Sequence, residues 1–348
     1  MESLWFVLVA LMLAVYVLLD GFDLGAGAIH PLVARTAAER RMVYQAIGPV
    51  WDGNEVWLLA AGGTLFFTFP RLYAAAFSGF YLPLMIVLWL LMLRGLALEL
   101  RSHIQNAVWS GLWDGLFFVG STLLAVFYGA ALANVVRGVP LDAQGYFFEP
   151  LWTNFNPSSA TPGILDWYTI LVGLLALVAL ALHGAHYIAF KTEGLVNTRA
   201  RALARRAWLV TLLLTIFATL DTFTLRPALF SSFVARPWGV VFPILAVGGL
   251  GAIWWSHVQR HDGRSLIASG AYLAGMLTSA AFTLYPAVLP AVDPSHTLTV
   301  ANASAPTYGL VVGLVWWIVG MLLAAVYFVL IYRLFRGKVR SVEGDIGY

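Results

Sequence analysis

Long apolar runs, separated by short polar segments, dominate the sequence. Spanning a bilayer as a helix takes about 20 mostly apolar residues, and nine segments come close to that length or exceed it. Their predicted limits are 3–28, 52–69, 72–100, 112–136, 163–190, 204–224, 238–256, 265–290 and 308–335. A membrane barrel would instead show alternating strands of about ten residues. The pattern therefore predicts an all-α polytopic membrane protein with nine transmembrane helices.

The connections between these segments predict how the helices are grouped. Most connections are short, which favours antiparallel neighbours. We expect a single membrane domain over residues 1–348, built as two four-helix bundles plus one helix. The first bundle would occupy residues 1–140 and carry the acidic motifs described below, and the second would occupy residues 160–305. Residues 306–348 would contain the ninth helix and a basic cytoplasmic tail.

Composition excludes a soluble fold. Hydrophobic residues make up 61% of the 348 residues and charged residues only 11%, whereas soluble domains carry about 25% charged residues. The sequence contains no cysteine, which excludes disulfides, thiolate metal sites and thiol catalysis. The net charge of +3 is too small to indicate nucleic-acid binding.

The positive charges predict the orientation in the membrane. Cytoplasmic loops carry an excess of Lys and Arg. With the N-terminus outside and the C-terminus inside, most of the 20 Lys and Arg residues fall in inner loops or in the C-terminal tail. The exceptions, which would lie outside, are Arg71, Arg137, Arg226 and Arg236.

Four carboxylates lie near the inner ends of the first two predicted helices. Asp20 and Asp23 are three residues apart and share one face of the first helix. Asp52 and Glu55 repeat that spacing at the start of the second helix. A carboxylate at membrane depth is expensive and is usually paired, protonated or beside water. Two acid pairs at one depth could pass protons through ordered water, or could bind a hard cation together with the Asn54 amide.

Spacing alone also allows a purely structural use of these acids. Asp52 could cap the second helix, where the helix dipole favours an anion. Asp20 or Asp23 could pair with Arg40 or Arg41 in the following loop.

Further charged residues lie where the third predicted helix ends and the fourth begins. Arg94 and Arg101 are expected to form a belt of snorkelling charges at the inner membrane surface. Glu99 and Asp114 could join the acid cluster.

Histidine is a common axial ligand of haem iron, so the histidines bear on redox function. His183 and His186 are three residues apart on one face of the fifth predicted helix. A bis-histidine haem needs ligands on facing helices, and the sequence offers no clear second ligand. We therefore predict no haem-binding and no metal-binding residue in this chain.

The acidic motifs are parts of longer runs that resemble a known family. These runs are DGFDLGAG at 20–27, ERR at 39–41, GPVWDGNEVWL at 48–58, AAAFSGFY at 74–81, WD at 113–114, KTEG at 191–194, YP at 285–286 and NAS at 302–304. Together with Arg94, Glu99 and Arg101, they resemble subunit II of the cytochrome bd quinol oxidases. The resemblance covers essentially the whole chain and is densest in its first third.

The resemblance implies a role in a bacterial inner-membrane terminal oxidase. That enzyme oxidises a quinol and reduces dioxygen to water, and its subunit I carries haems b and d. Subunit II has two four-helix bundles plus one helix and normally ligates no haem. Expected partners are subunit I, membrane lipid and quinone, and in addition a small single-span accessory subunit. Some members also hold a structural quinone in subunit II or admit oxygen through it.

The resemblance also implies roles for individual residues. Asp20, Asp23, Asp52 and Glu99 would border a proton route from the cytoplasmic side towards the oxygen-reducing haem of the partner. The residues expected to support that route are Trp51, Asn54, Glu55 and Asp114. Many family members have an amide at the position of Glu55.

Two other functions remain as alternatives. The chain could be a structural scaffold whose acids only cap helices and hold loops. It could also be an independent proton or cation transporter, although transporters commonly place broken helices in two related halves, and here the polar motifs are confined to one half.

Overall fold

The computed structural model describes residues 1–339, so Arg340 and the rest of the predicted basic tail lie outside the described residues. Helices account for most of this part of the chain. They are α1 (Glu2–Val33), α2 (Ala37–Ile47), α3 (Trp51–Thr68), α4 (Pro70–Gly79), α5 (Tyr81–Leu100), α6 (Ala107–Arg137), α7 (Trp167–Lys191), α8 (Gly194–Leu225), α9 (Ala228–Ala235), α10 (Val241–Gln259), α11 (Asp262–Leu284), α12 (Val300–Ala303) and α13 (Thr307–Leu334).

Within residues 1–339, eight helices are long and apolar enough to cross a membrane. They are α1, α5, α6, α7, α8, α10 together with the short 3-10 turn before it, α11 and α13. The protein is therefore a predominantly helical, multi-pass membrane protein. Helix α3 is not among the eight; its 18 residues include the polar side chains of Asp52, Asn54 and Glu55.

The third predicted span, 72–100, is wrong as a single helix because it divides at Phe80 into α4 and α5. Pro83 lies in the first turn of α5 and has no backbone N–H. It therefore cannot donate to the carbonyl of Gly79, four residues earlier, as a continuous helix would require. The ring of Phe147 also packs so closely that a Cβ on Gly79 would lie 2.2 Å from it.

The eighth predicted span, 265–290, extends too far. Helix α11 ends at Leu284, just before Pro286, and the chain continues into a short strand, β1 (Ala287–Leu289). This strand pairs antiparallel with β2 (Leu298–Thr299), so the fold is not entirely helical. The fifth predicted span begins later than expected, at Trp167, because the Asp166 side chain caps α7 by accepting hydrogen bonds from two backbone N–H groups.

Helix α1 lies at the centre of the molecule and packs against α3, α6, α7 and α11. Its contact with α7 is a close backbone crossing. A Cβ on Gly25 would lie 1.9 Å from the carbonyl oxygen of Leu180, and a Cβ on Gly184 would lie 2.3 Å from the carbonyl carbon of Gly25. Small residues permit this approach, and it joins the first half of the chain to the second.

Candidate functional site: the polar face of α1

One face of α1 carries a column of polar positions. Tyr16, Asp20, Asp23, Gly27 and His30 follow one another at intervals of four and three residues, which places them along one face of a helix. All five are buried. At 1.5 Å per residue the column is about 21 Å long.

Asp20 forms a buried ion pair with Arg94 of α5, and both side chains are fully buried. Arg94 Nη1 donates to Asp20 Oδ2 at 2.7 Å and Nη2 donates to Oδ1, so the pair is bidentate. Glu55 Oε2 lies 3.8 Å from the same guanidinium. Arg94 therefore links the two acidic motifs. The prediction that it snorkels to the membrane surface is wrong, because its charge is compensated inside the bundle.

Asp23 is held by an amide instead of a cation. Asn54 Nδ2 donates to Asp23 Oδ2 at 2.7 Å, and the Tyr332 hydroxyl donates to Asn54 Oδ1 at 2.9 Å. This chain of hydrogen bonds joins α1, α3 and α13. Within the described residues the second carboxylate oxygen, Oδ1 of Asp23, is buried without a hydrogen-bond partner.

The other two predicted pathway acids lie at the protein surface. Asp52 is in the first turn of α3 and is exposed. The N-cap of α3 is Val50, so Asp52 is not the cap, although the helix dipole favours a carboxylate there. Glu99 is exposed near the end of α5. Trp51 is half-buried and its ring lies 3.7 Å from the position of a Cβ on Gly95.

Asp114 belongs to a second cluster near the ends of α1, α2, α5 and α6. It accepts hydrogen bonds from Arg101 Nε at 2.5 Å and from Arg40 Nη1 at 3.0 Å. His30 Nε2 lies 3.7 Å from its Oδ1. Because Arg40 binds Asp114 and Asp20 binds Arg94, the alternative in which Asp20 pairs with Arg40 is wrong. Arg101 is likewise ion-paired instead of snorkelling.

This second cluster also contains Tyr44 of α2, over whose ring the Arg101 guanidinium lies at 4.5 Å. Burial, together with the charge of Asp114, raises the pKa of Tyr44 well above its ordinary value. His30 was not among the site residues predicted from the sequence. The spacing from Tyr16 to His30 was the signal that could have revealed it.

The histidines of the second half do not form an axial pair for haem. Both ring nitrogens of His183 are in hydrogen-bond range, with Ser269 Oγ at 2.7 Å and with the Leu18 carbonyl at 2.9 Å. His186 faces His257 instead, with ring centroids 5.0 Å apart, too close for an iron to lie between two coaxial imidazoles. No group of three or more His, Asp and Glu side chains among residues 1–339 could hold a metal. The expectation that this chain ligates no haem stays a prediction.

A third polar cluster, unforeseen from sequence, lies at the other end of α6. Arg137 donates to Asp166 and, at 2.8 Å, to Glu149 Oε1. It also donates to the carbonyl of Gly163 at 3.0 Å, and so holds the loop between α6 and α7 (residues 138–166) against the helices. Burial raises the pKa of Glu149 to about 7 although Arg137 acts to lower it.

Comparisons with known proteins agree on one family. The sequence model described as cytochrome bd terminal oxidase subunit II matches residues 1–335. The chain is 31% identical to a probable cytochrome oxidase subunit 2 of Haemophilus influenzae, covering 97% of this chain and 95% of the relative. It is 32% identical to the cytochrome bd ubiquinol oxidase subunit 2 of Bacillus subtilis, covering 89% and 88%. A chain of the bd oxidase structure from Geobacillus thermodenitrificans superposes with a TM-score of 0.74 at 20% identity, covering 96% of this chain and 98% of that one.

Proposed function

Because the chain belongs to the subunit II family of cytochrome bd terminal oxidases, we propose that it is a haem-free subunit that delivers protons to a haem-carrying subunit I. Family membership makes it a subunit of a quinol-oxidising oxidoreductase complex of a membrane. We assign that membrane as the bacterial cytoplasmic membrane. A structural quinone, an accessory single-span subunit and oxygen access remain expectations from the family.

The proposed topology has nine spans, namely the eight apolar helices and α3. Helix α3 has 18 residues, which gives a length of about 27 Å, close to the hydrocarbon thickness of about 30 Å. Its Asn54 side chain is turned inward to Asp23, so one of its polar groups is not presented to lipid. Helices α1, α3, α5 and α6 would form one bundle, α7, α8, α10 and α11 the other, and α13 would be the ninth helix.

The observation that carries the proton-delivery role is the contrast between the two buried aspartates. Asp20 is bound on both oxygens by Arg94, so neither oxygen is left without a hydrogen-bond donor. Asp23 is held on one oxygen by a neutral amide. Its other oxygen is free to take up and release a proton, since no cation competes for it in the described structure.

The remaining residues would act around Asp23. Asp20 and Arg94 would supply a fixed pair of charges beside Asp23. Glu55 would interact electrostatically with the same guanidinium, which lies 3.8 Å from its Oε2. Asp52 and Glu99 would collect protons at the surface, where both are exposed. Reduction of dioxygen to water consumes protons, so a subunit without redox groups can still limit the rate of the partner's reaction.

The test is Asp23→Asn in the complete oxidase, measured as oxygen consumption per haem. We expect the rate per haem to fall at least about tenfold, because a positioned proton-transferring group typically contributes about 10²–10⁴-fold. Haem content should be largely retained, since an asparagine keeps the hydrogen-bonding partner of Asn54.

The matched control is Glu149→Gln, which neutralises another buried carboxylate outside the α1 column. Its rate per haem should equal that of the unmodified enzyme. If Asp23→Asn instead lowers haem content and yield while the rate per haem is unchanged, the chain is a scaffold and proton delivery through Asp23 is wrong.

A further inference from the structure

Several buried polar atoms without a hydrogen-bond partner lie beside the polar face of α1. In the described part of the chain they include Oδ1 of Asp23, Nε of Arg94, Oγ of Ser121 and Nε2 of His30. Buried polar groups are nearly always hydrogen-bonded, to protein or to ordered water. Each of these four atoms could bind an ordered water, and the three that belong to Asp23, Ser121 and His30 are in groups that can also exchange a proton.

Ser121 occupies the middle of the path that these three groups would form. It lies on α6, is fully buried, and faces Gly27 of α1. A Cβ on Gly27 would lie 2.1 Å from Ser121 Oγ, so the glycine is what lets the hydroxyl reach α1. Gly27 is four residues from Asp23 and three from His30, which corresponds to about 6 Å and about 4.5 Å along the helix axis. The hydroxyl therefore lies between the aspartate and the histidine.

His30 connects this path to the surface. Its side chain is 1% exposed and faces Asp114 of α6, Tyr44 of α2, and the guanidinium groups of Arg40 and Arg101. These are the titratable and charged groups around the imidazole. The Arg40 side chain is 37% exposed, so the cluster reaches water.

We infer that His30 is the inlet of the proton route, and that protons pass from it along Ser121 to Asp23. This inference rests on the proposed proton-delivery function. Nε2 of His30 accepts a proton from inner-side water, and the imidazolium releases it to water hydrogen-bonded at Ser121 Oγ. The Asp23 carboxylate then receives one proton and becomes neutral, while the imidazole returns to its starting form. Asp52 and Glu99 would still gather protons at the surface, and His30 would be the group that admits a proton to the buried part of the route.

The experiment uses His30→Gln and Ser121→Ala in the complete oxidase. The matched controls are His183→Gln and Ser269→Ala, which remove the same groups from a buried pair in the second half. Oxygen consumption per haem is measured from pH 5.5 to 9, together with the rate of proton uptake from the inner side. If His30 and Ser121 had only a structural role, their replacement would not change how oxygen consumption per haem depends on pH.

We expect His30→Gln to slow proton uptake about tenfold or more, in line with the contribution of a positioned acid–base group, and to change how the rate depends on pH. Ser121→Ala should slow uptake several-fold, with both controls near normal. If the oxidase that carries His30→Gln does not assemble, the rate of proton uptake of the Ser121→Ala variant tests the proposal instead.

Two outcomes overturn the proposal, and they are distinguishable. If both variants retain normal uptake and pH profile while Asp23→Asn is slow, the inlet lies elsewhere and proton delivery stands. If Asp23→Asn is also normal, both the inlet and the proposed function are wrong.

Discussion

Replacing Arg94 with methionine tests whether the Asp20–Arg94 pair supports the first half of the fold. Both side chains are fully buried, and Arg94 meets Asp20 through two hydrogen bonds. Methionine fills much of the volume of the arginine stem but leaves the Asp20 carboxylate without its cation. A buried charge stripped of its partner loses the Coulomb energy while its desolvation cost remains.

The expected loss in the free energy of unfolding depends on whether one partner of the ion pair is removed or both. Breaking a buried ion pair by removing one partner costs about 3–5 kcal/mol, whereas replacing both partners with apolar residues is often neutral. Arg94→Met should therefore destabilise the protein by about 3–5 kcal/mol. The double variant Asp20→Leu/Arg94→Met should recover most of that loss.

The assay is a double-mutant cycle on the free energy of unfolding. The protein is unfolded in detergent micelles by adding a denaturing detergent, and the loss of helix content is used to monitor unfolding. The control cycle uses Glu39→Gln and Arg199→Met, a pair joined at 2.8 Å nearer the surface. Surface pairs are worth about 0–1 kcal/mol, so its coupling should be small. If the Asp20 and Arg94 effects are simply additive, the pair does not act as a compensated unit and the reasoning is refuted.

Two further predictions concern the loop between α6 and α7 and the crossing of α1 with α7. Burial raises the pKa of Glu149 from 4.5 to about 7. Its contribution to the free energy of unfolding is therefore fully present below pH 4.5 and is lost as the pH rises through about 7. The loss amounts to about 3 kcal/mol. Thermal denaturation at pH 5 and pH 8 should show this dependence, and Glu149→Gln should flatten it; an unchanged dependence in the variant would contradict the assignment. Gly184→Ala places a Cβ 2.3 Å from Gly25 and should cost about 1–3 kcal/mol or more by overpacking. Complex yield should fall relative to the control Gly248→Ala, whose Cβ meets nothing within 4 Å, and equal yields would show that α1 and α7 do not need this contact.

Sequence pattern predicted the long helices because an apolar run of bilayer length has few other stable forms. It missed the interruptions at Phe80 and Leu284, which depend on single prolines inside otherwise apolar runs. A hydrophobicity count does not register a missing backbone N–H. Reading Pro83 and Pro286 as helix breakers would have corrected both limits.

The candidate site was predictable only as far as local spacing allows. The three-residue interval correctly placed Asp20 and Asp23 on one buried face. The partner of Asp20 is 74 residues away in sequence, so helical periodicity could not identify it. Glu149 was missed for a different reason, since it lies in an irregular loop and its partner Arg137 belongs to a helix, so no periodic pattern links the two.

The extent of the polar column separates delivery of protons from transport across the membrane. The column runs from His30 to Tyr16, whose hydroxyl donates to that of Tyr128 at 3.0 Å. Beyond Tyr16, residues 4–15 of α1 contain no charged, amide or hydroxyl side chain. The next buried ionisable cluster, around Arg137, is held by its own two carboxylates. A transporter needs access from both faces, whereas in the topology proposed above this column would open at one face and end within the membrane. That shape suits a subunit that supplies protons to chemistry in a neighbouring subunit, because the proton is consumed there and needs no exit through this chain.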